Sequence, residues 1–338
     1  VLNWGFTRSL LDPGFQSSCL PRLEDGGTAV TSATISLPFS TVNAFYTKNG
    51  LPVEQDANYY KDGMYFPVKY SKDNSEFTEH YDFDYNYRYV IENETTAGMN
   101  FDREPRFYAS VGFDRGVWYG NSYSDPAGDQ SESQAAYRYP RNRFGEFSSV
   151  WNSTWYNVTG YWAKKLVALR STFTGSDNVS FYSVPFPDMR YADLLLMAAE
   201  AWNEAEETPN EKVYDYLDQV RERAGLEGIK ETYAKYASVQ YKDYPSHKSQ
   251  MRDIIHRERQ VELSCEGSYY WDTRRWKTAE KELNRIVQGW NVLNGETAED
   301  YYIPTNIYNQ QFTLRDYFAP IPDGDIIRNP QLVQNPWW

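Results

Sequence analysis

Hydrophobic and polar positions follow two different rhythms along this chain. Up to about residue 185 few stretches repeat at helical spacing, and Gly, Pro, Asn, Ser and Tyr are frequent. That texture predicts loops and short strands. The clearest strand is YDFDYNYRY, residues 81–89, where Tyr81, Phe83, Tyr85, Tyr87 and Tyr89 alternate with Asp82, Asp84, Asn86 and Arg88. Strict alternation is the signal of a half-buried strand. After residue 185 the period changes. Tyr191, Leu194, Leu195, Ala198, Trp202 and Ala205 trace one helical stripe, and Val213, Leu217, Val220 and Ala224 trace another. Pro209 and Asn210 separate the two, and Gly225 follows as a C-capping glycine would. The pair predicts a helical hairpin of tetratricopeptide size, a unit of about 34 residues. Ser246, after Pro245, can cap a third helix running to about Glu266.

The expected fold is therefore mainly α, a tetratricopeptide-like helical-hairpin scaffold with a large irregular loop and short β-strand region. Residues 1–185 form the loop-rich, aromatic-rich part, expected to face a ligand, and 186–338 the helical part. One such hairpin cannot bury a continuous core, which takes at least about three repeats, so partner helices are expected from a segment preceding this chain. The chain does not begin with Met and opens on no basic, then apolar, leader.

Charge narrows the function. The 338 residues carry 34 Lys plus Arg against 47 Asp plus Glu, a net charge of −13, and the basic residues form no cluster. Nucleic acid and anionic membrane surfaces are poor partners for such a chain. No apolar run reaches the roughly 18 residues that span a bilayer. Cys19 and Cys265 make neither a metal spacing nor a disulfide framework. Aromatic content is high, with 30 Tyr, 17 Phe and 11 Trp. Tyr and Trp suit wet binding surfaces as well as cores.

Candidate chemistry is thin. In ERQVELSCEG, residues 258–267, Glu258, Glu262 and Glu266 recur every four residues on one helical face. Catalytic carboxyls of a glycosidase flank a scissile bond from opposite sides, whereas these point the same way. Stacked carboxylates repel and need cations; Arg259, Arg274, Arg275, Arg221 and Arg223 are the candidates. We read Glu258, Arg259, Glu262, Glu266, Asp272 and Arg275 as a structural ion network. The three histidines, His80, His247 and His256, show no metal spacing, and His256 falls on the polar side of its helix. The Asp82-x-Asp84-x-Asn86 run lacks the Gly and the twelfth-position Glu of a calcium loop. Neither a metal, a cofactor nor an enzymatic activity is expected.

The Arg190-Tyr191-Ala192-Asp193-Leu194-Leu195-Leu196-Met197-Ala198-Ala199-Glu200-Ala201 run, VRERAG at 220–225, and the ER-x-x-EL-x-x-EG pattern followed by Asp272 and Arg274-Arg275-Trp276 together resemble the SusD/RagB family. NGLP at 49–52, DREPRFYASVGF at 102–113, PIP at 320–322 and QNP at 334–336 agree in order and spacing. Ser268 departs from the basic or larger residue common after EG. The likeness corresponds to the C-terminal half to two-thirds of a member, without the lipoprotein signal and the earlier tetratricopeptide helices.

The resemblance implies a non-catalytic, lipid-anchored outer-membrane protein at the cell surface. It would capture oligosaccharides and cap a SusC/RagA-like TonB-dependent transporter; some relatives capture peptides instead. It also implies that the ER-x-x-EL-x-x-EG helix belongs to the scaffold. Saccharide sites combine aromatic walls with a few placed polar groups. The richest candidate is GVWYGNSYSDPAGD at 116–129, with Trp118, Tyr119, Asn121, Tyr123 and Asp125, although Trp118 can instead continue a strand-like RFYASVGF and pack inward. Trp151 and Trp155 in VWNSTWYNVTGYW, and Tyr87 in the 81–89 stretch, are further candidates. Trp202 and Trp276 read as core.

Overall fold

The computed structural model describes residues 12–23, 31–118, 138–150, 152–173 and 179–338. Short helices lie in the first part: α1 (Pro13–Cys19), α2 (Phe39–Val42), α3 (Ser75–His80), α4 (Phe83–Asn86) and α5 (Pro105–Ser110). The longer ones follow: α6 (Tyr191–Ala205), α7 (Glu211–Arg223), α8 (Ile229–Tyr236), α9 (Lys248–Glu262) and α10 (Ser268–Arg275). Then come α11 (Ala279–Leu283), α12 (Ala298–Tyr301) and α13 (Asp323–Arg328). Among the described residues the strands form antiparallel pairs only. These are β1 (Pro67–Lys69) with β2 (Thr95–Ala97), β3 (Val111–Phe113) with β4 (Tyr161–Ala163), β5 (Thr172–Phe173) with β6 (Val179–Ser180), and β7 (Arg285–Gly289) with β8 (Thr305–Gln310). The protein is mainly α, as expected.

Helices α6 and α7 pack as the expected hairpin, and α9 lies against α6. Asn210 starts α7 by accepting the Lys212 and Val213 amides, and Gly225, at φ +78°, ends it. The buried face of α6 differs from the expected stripe. Ala192, Leu195, Leu196, Ala199 and Asn203 are buried, while Tyr191 and Leu194 are exposed. Ala192 and Ala199 join Leu196, Leu217 and Ile255 in the helical core, and the Asn203 amide donates to the Lys248 carbonyl at the start of α9 (3.1 Å). Tertiary packing chose a face that hydrophobicity alone did not.

Two further expectations are corrected. Residues 81–89 are not a strand, because Asp82 accepts the Tyr85 amide and caps the single turn of α4. Asn86 adds a bond to the Asp82 carbonyl. Such local side-chain bonds compete with strand pairing, and the aromatic rings pack regardless. Phe83 stacks on Tyr70 at 4.7 Å and Tyr89 on Tyr108 at 3.8 Å. Likewise RFYAS belongs to α5, with Pro105 at its first position, and only Val111–Phe113 is strand.

Two cores result. A larger aromatic core gathers Phe39, Phe77, Phe101, Trp118, Trp162 and Trp290 from the first part and the C-terminal region. A smaller aliphatic core, with Leu196, Leu217, Met251 and Ile255, fills the helical part. Most of the aromatic surplus is thus structural.

Candidate functional site

Among the described residues the sequence candidates occupy two distinct places, one a buried ion network and the other the chain flanking β3 and β4. Helix α9 ends at Glu262, earlier than expected, and Cys265 and Gly267 take positive φ beyond it. Glu266 therefore sits on the following turn. Glu258 is fully buried and accepts from Arg106 Nη1 at 2.6 Å and from Arg221 Nη1 at 3.3 Å. Glu262 accepts from Arg106 (3.0 Å) and Arg223 (2.6 Å), and also from Arg190. Glu266 takes Arg190 Nε at 2.8 Å and pairs with Lys165. Arg106 also holds Glu104 at 2.7 Å.

Burial alone would raise the Glu262 carboxyl, but Arg106, Arg190 and Arg223 outweigh it and hold its pKa below the usual range. Burial would likewise lower Arg106, yet Glu104, Glu258 and Glu262 raise it well above its ordinary value. An ionised, enclosed Glu262 has no proton to donate and no face open to a substrate. Arg221 and Arg223 were among the expected cations. Arg106 and Arg190 were missed, although an arginine inside the apolar EPRFY segment signals a buried partner. Arg274 does not pair with these glutamates; its guanidinium lies 3.4 Å from the Tyr270 ring centroid.

The other half of the network is separate. Arg259 bonds Asp193 (2.8 Å) and Asp272 (3.0 Å), and Arg275 bonds Asp272 (2.8 Å) and Glu200 (2.6 Å). Trp276 Nε1 donates to Glu200 at 2.9 Å. His256 is not simply solvated: it stacks on Trp276 at 3.5 Å, and burial pushes its pKa down to about 4.

The aromatic loops are organised by β3 and β4. Their register pairs Phe113 with Tyr161, so the chain leaving β3 and the chain entering β4 emerge at the same end. The chain there is firmly fastened. Trp118 N donates to the Arg138 carbonyl and Arg115 N to the Pro140 carbonyl. Arg115 pairs with Glu146 (2.6 Å), Glu94 (2.9 Å) and Asp114 (2.8 Å). Val117 N donates to the Tyr89 carbonyl, which brings the segment carrying Tyr87 to the same place.

Within this frame Trp118 is 2% exposed and packs inward, with the Lys164 ammonium 5.6 Å from its ring. Its packing alternative is the one observed. Trp155 is 42% exposed. Asn152 Oδ1 accepts the Thr154 and Trp155 amides at 2.8 Å each, a side-chain turn that presents the indole outward. Tyr87 is half-buried. Tyr119, Asn121, Tyr123, Asp125 and Trp151 lie outside the described residues.

A cleft of about 420 Å³ opens elsewhere, between the 40–44 segment, α9 and the 269–285 region. Among the described residues no cluster of three His, Cys, Asp or Glu could hold a metal ion, and no helix is long and apolar enough to cross a membrane. Cys19 and Cys265 are both free thiols; burial, with Cys265 adding to it, pushes Cys19 up to about 12.

The family model described as the SusD family matches residues 15–338. SusD-like protein P2 of Formosa agariphila is 31% identical over 153 residues, which cover 45% of this chain and 26% of that protein. SusD-like protein P38 of the same organism is 32% identical over 147 residues, 43% of this chain and 23% of that one. Among solved structures, BT4246 matches at TM-score 0.72 and 26% identity, over 95% of this chain and 50% of that chain. A SusD-like protein from Bacteroides fragilis shares the fold at TM-score 0.66 and 18% identity, over 96% and 51%. The matches thus span about a quarter of the Formosa proteins and about half of these solved relatives.

Proposed function

The chain belongs to the SusD family, and on that premise we propose that it is a non-catalytic oligosaccharide-binding protein of the cell surface. In this reading it is held by a lipid anchor on the outer membrane and passes its ligand to a SusC/RagA-like TonB-dependent transporter. The observation that supports the binding role is the Phe113–Tyr161 register, which brings the chain at 114–118 and the chain at 152–160 to one end of a fastened frame. Trp155 supplies an exposed indole for stacking on a sugar face. Tyr119, Asn121, Tyr123, Asp125, Trp151 and Tyr87 are its proposed companions. The enclosure of Glu258 and Glu262 within arginines supports a role without glycoside hydrolysis.

The test is calorimetric titration of the protein against neutral oligosaccharides and against mixed short peptides, with product analysis of the sugars afterwards. Saturable saccharide binding with the sugars recovered intact is the expected result. Binding of peptides alone would move the function to peptide capture, and turnover of the sugars would overturn the non-catalytic reading.

A further inference from the structure

The cleft beside α9 is built from residues outside the aromatic loops, and one of them, Trp276, also touches the ion network. Ser40 and Asn43 come from α2 and the residue after it, Asp253 from α9, Tyr269 and Trp276 from α10 and its end, and Arg285 from the start of β7. Its volume, about 420 Å³, falls within the range of small-molecule sites. Eleven buried side-chain polar atoms among the described residues have no hydrogen-bond partner, and three of them are Ser40 Oγ, Asn43 Oδ1 and Arg285 Nε. These three belong to side chains that line this cleft, and the other eight lie elsewhere. A buried polar atom left unpaired keeps its desolvation penalty, so three in one cleft mark an unfilled demand.

The kind of demand is specific. Arg285 Nε only donates, Asn43 Oδ1 only accepts, and the Ser40 hydroxyl does both. A ligand hydroxyl also does both, so a polyhydroxy compound meets all three, whereas an anion offers acceptors alone. Charge points the same way. Asp253 and Glu282 face the cleft along with Lys281 and Arg285, so a ligand of either sign meets repulsion. Arg257 is already spent on the Ala44 and Asn43 carbonyls (3.0 Å each). Tyr269 and Trp276 supply the apolar part of the wall.

We propose that this cleft is a second binding site, for a small neutral polyhydroxy ligand of the size of one or two sugar units, independent of the aromatic loops. It does not require the loop site to exist.

The test uses the whole protein with its tryptophans labelled with nitrogen-15, titrated with maltose and with cellobiose, and the Trp276 indole signal identified by Trp276→Phe. The expected result is a saturable shift of that signal, weakened at least tenfold in Asn43→Leu and in Arg285→Met and retained in Trp155→Ala. Unfolding curves of the two cleft variants, matched to the parent, show that weakening comes from the site. An unmoved Trp276 signal at saturating disaccharide would overturn the proposal, whatever the loops bind. A shift with acetate or phosphate in place of the disaccharides would overturn the neutral class.

Discussion

Arg106 Nη1 donates to Glu258 Oε1 at 2.6 Å across 152 residues of chain. With Glu104 and Glu262 on the same guanidinium, this contact clasps the loop-rich part to α9. Removing one member of a buried pair leaves an uncompensated charge and costs about 3–5 kcal/mol. Arg106→Met is therefore expected to lower the stability measured by urea unfolding by that amount. Pairing it with Glu258→Leu should cost less than the sum of the single changes. A loss below about 1 kcal/mol for Arg106→Met would show that the network does not clasp the two parts.

His256 gives the fold a directional response to acid. Its folded pKa of about 4 lies below the ordinary 6.5, chiefly through burial. The unfolded chain therefore binds the proton more readily, so this contribution is fully present above about pH 6.5 and is lost as pH falls towards 4. His256→Phe keeps a ring against Trp276 and removes the titration. Denaturation at successive pH values should show a shallower decline across that window than in the parent; an unchanged slope would contradict the assignment.

The two tryptophans of the loop frame should separate stability from binding. Trp118→Ala empties a packed position and is expected to cost about 3–5 kcal/mol. Trp155→Ala removes an exposed ring and should change stability by no more than about 0.5 kcal/mol. Thermal unfolding of both variants makes the comparison.

Gly160 ends the second loop where it enters β4. It adopts φ +83°, and a Cβ there would lie 2.6 Å from Tyr301 Oη and 2.8 Å from Trp290 Cδ1. Backbone strain and overpacking together predict a loss of about 2–4 kcal/mol for Gly160→Ala. A melting temperature equal to the parent's would contradict the close approach.

Much of this was legible in the residues, because local signals carry it. The α6–α7 hairpin followed from spacing, with Asn210 and Gly225 at its ends. Arg221 and Arg223 were foreseen as partners for the glutamates. What failed depended on tertiary choice. Alternation in 81–89 describes which rings are half-buried, but Asp82 and Asn86 turn the backbone into α4. Leu194 joins the apolar stripe of α6 by count, yet it stays exposed while Ala192, Leu196 and Ala199 are buried. Arg106 lies some 150 residues from Glu258 and Glu262, so its local segment hints at burial but cannot name the partners. The cleft was invisible for the same reason, since Asn43 and Arg285 meet only in the fold.

The central claim is that the aromatic loops at the end of β3 and β4 capture saccharide. Calorimetric titration of the parent and of Trp155→Ala with the tightest-binding neutral oligosaccharide tests it most directly. The account predicts at least a tenfold loss of affinity, about 1.4 kcal/mol or more, in line with lost aromatic contact. Equal affinity in a variant with unchanged unfolding would contradict it.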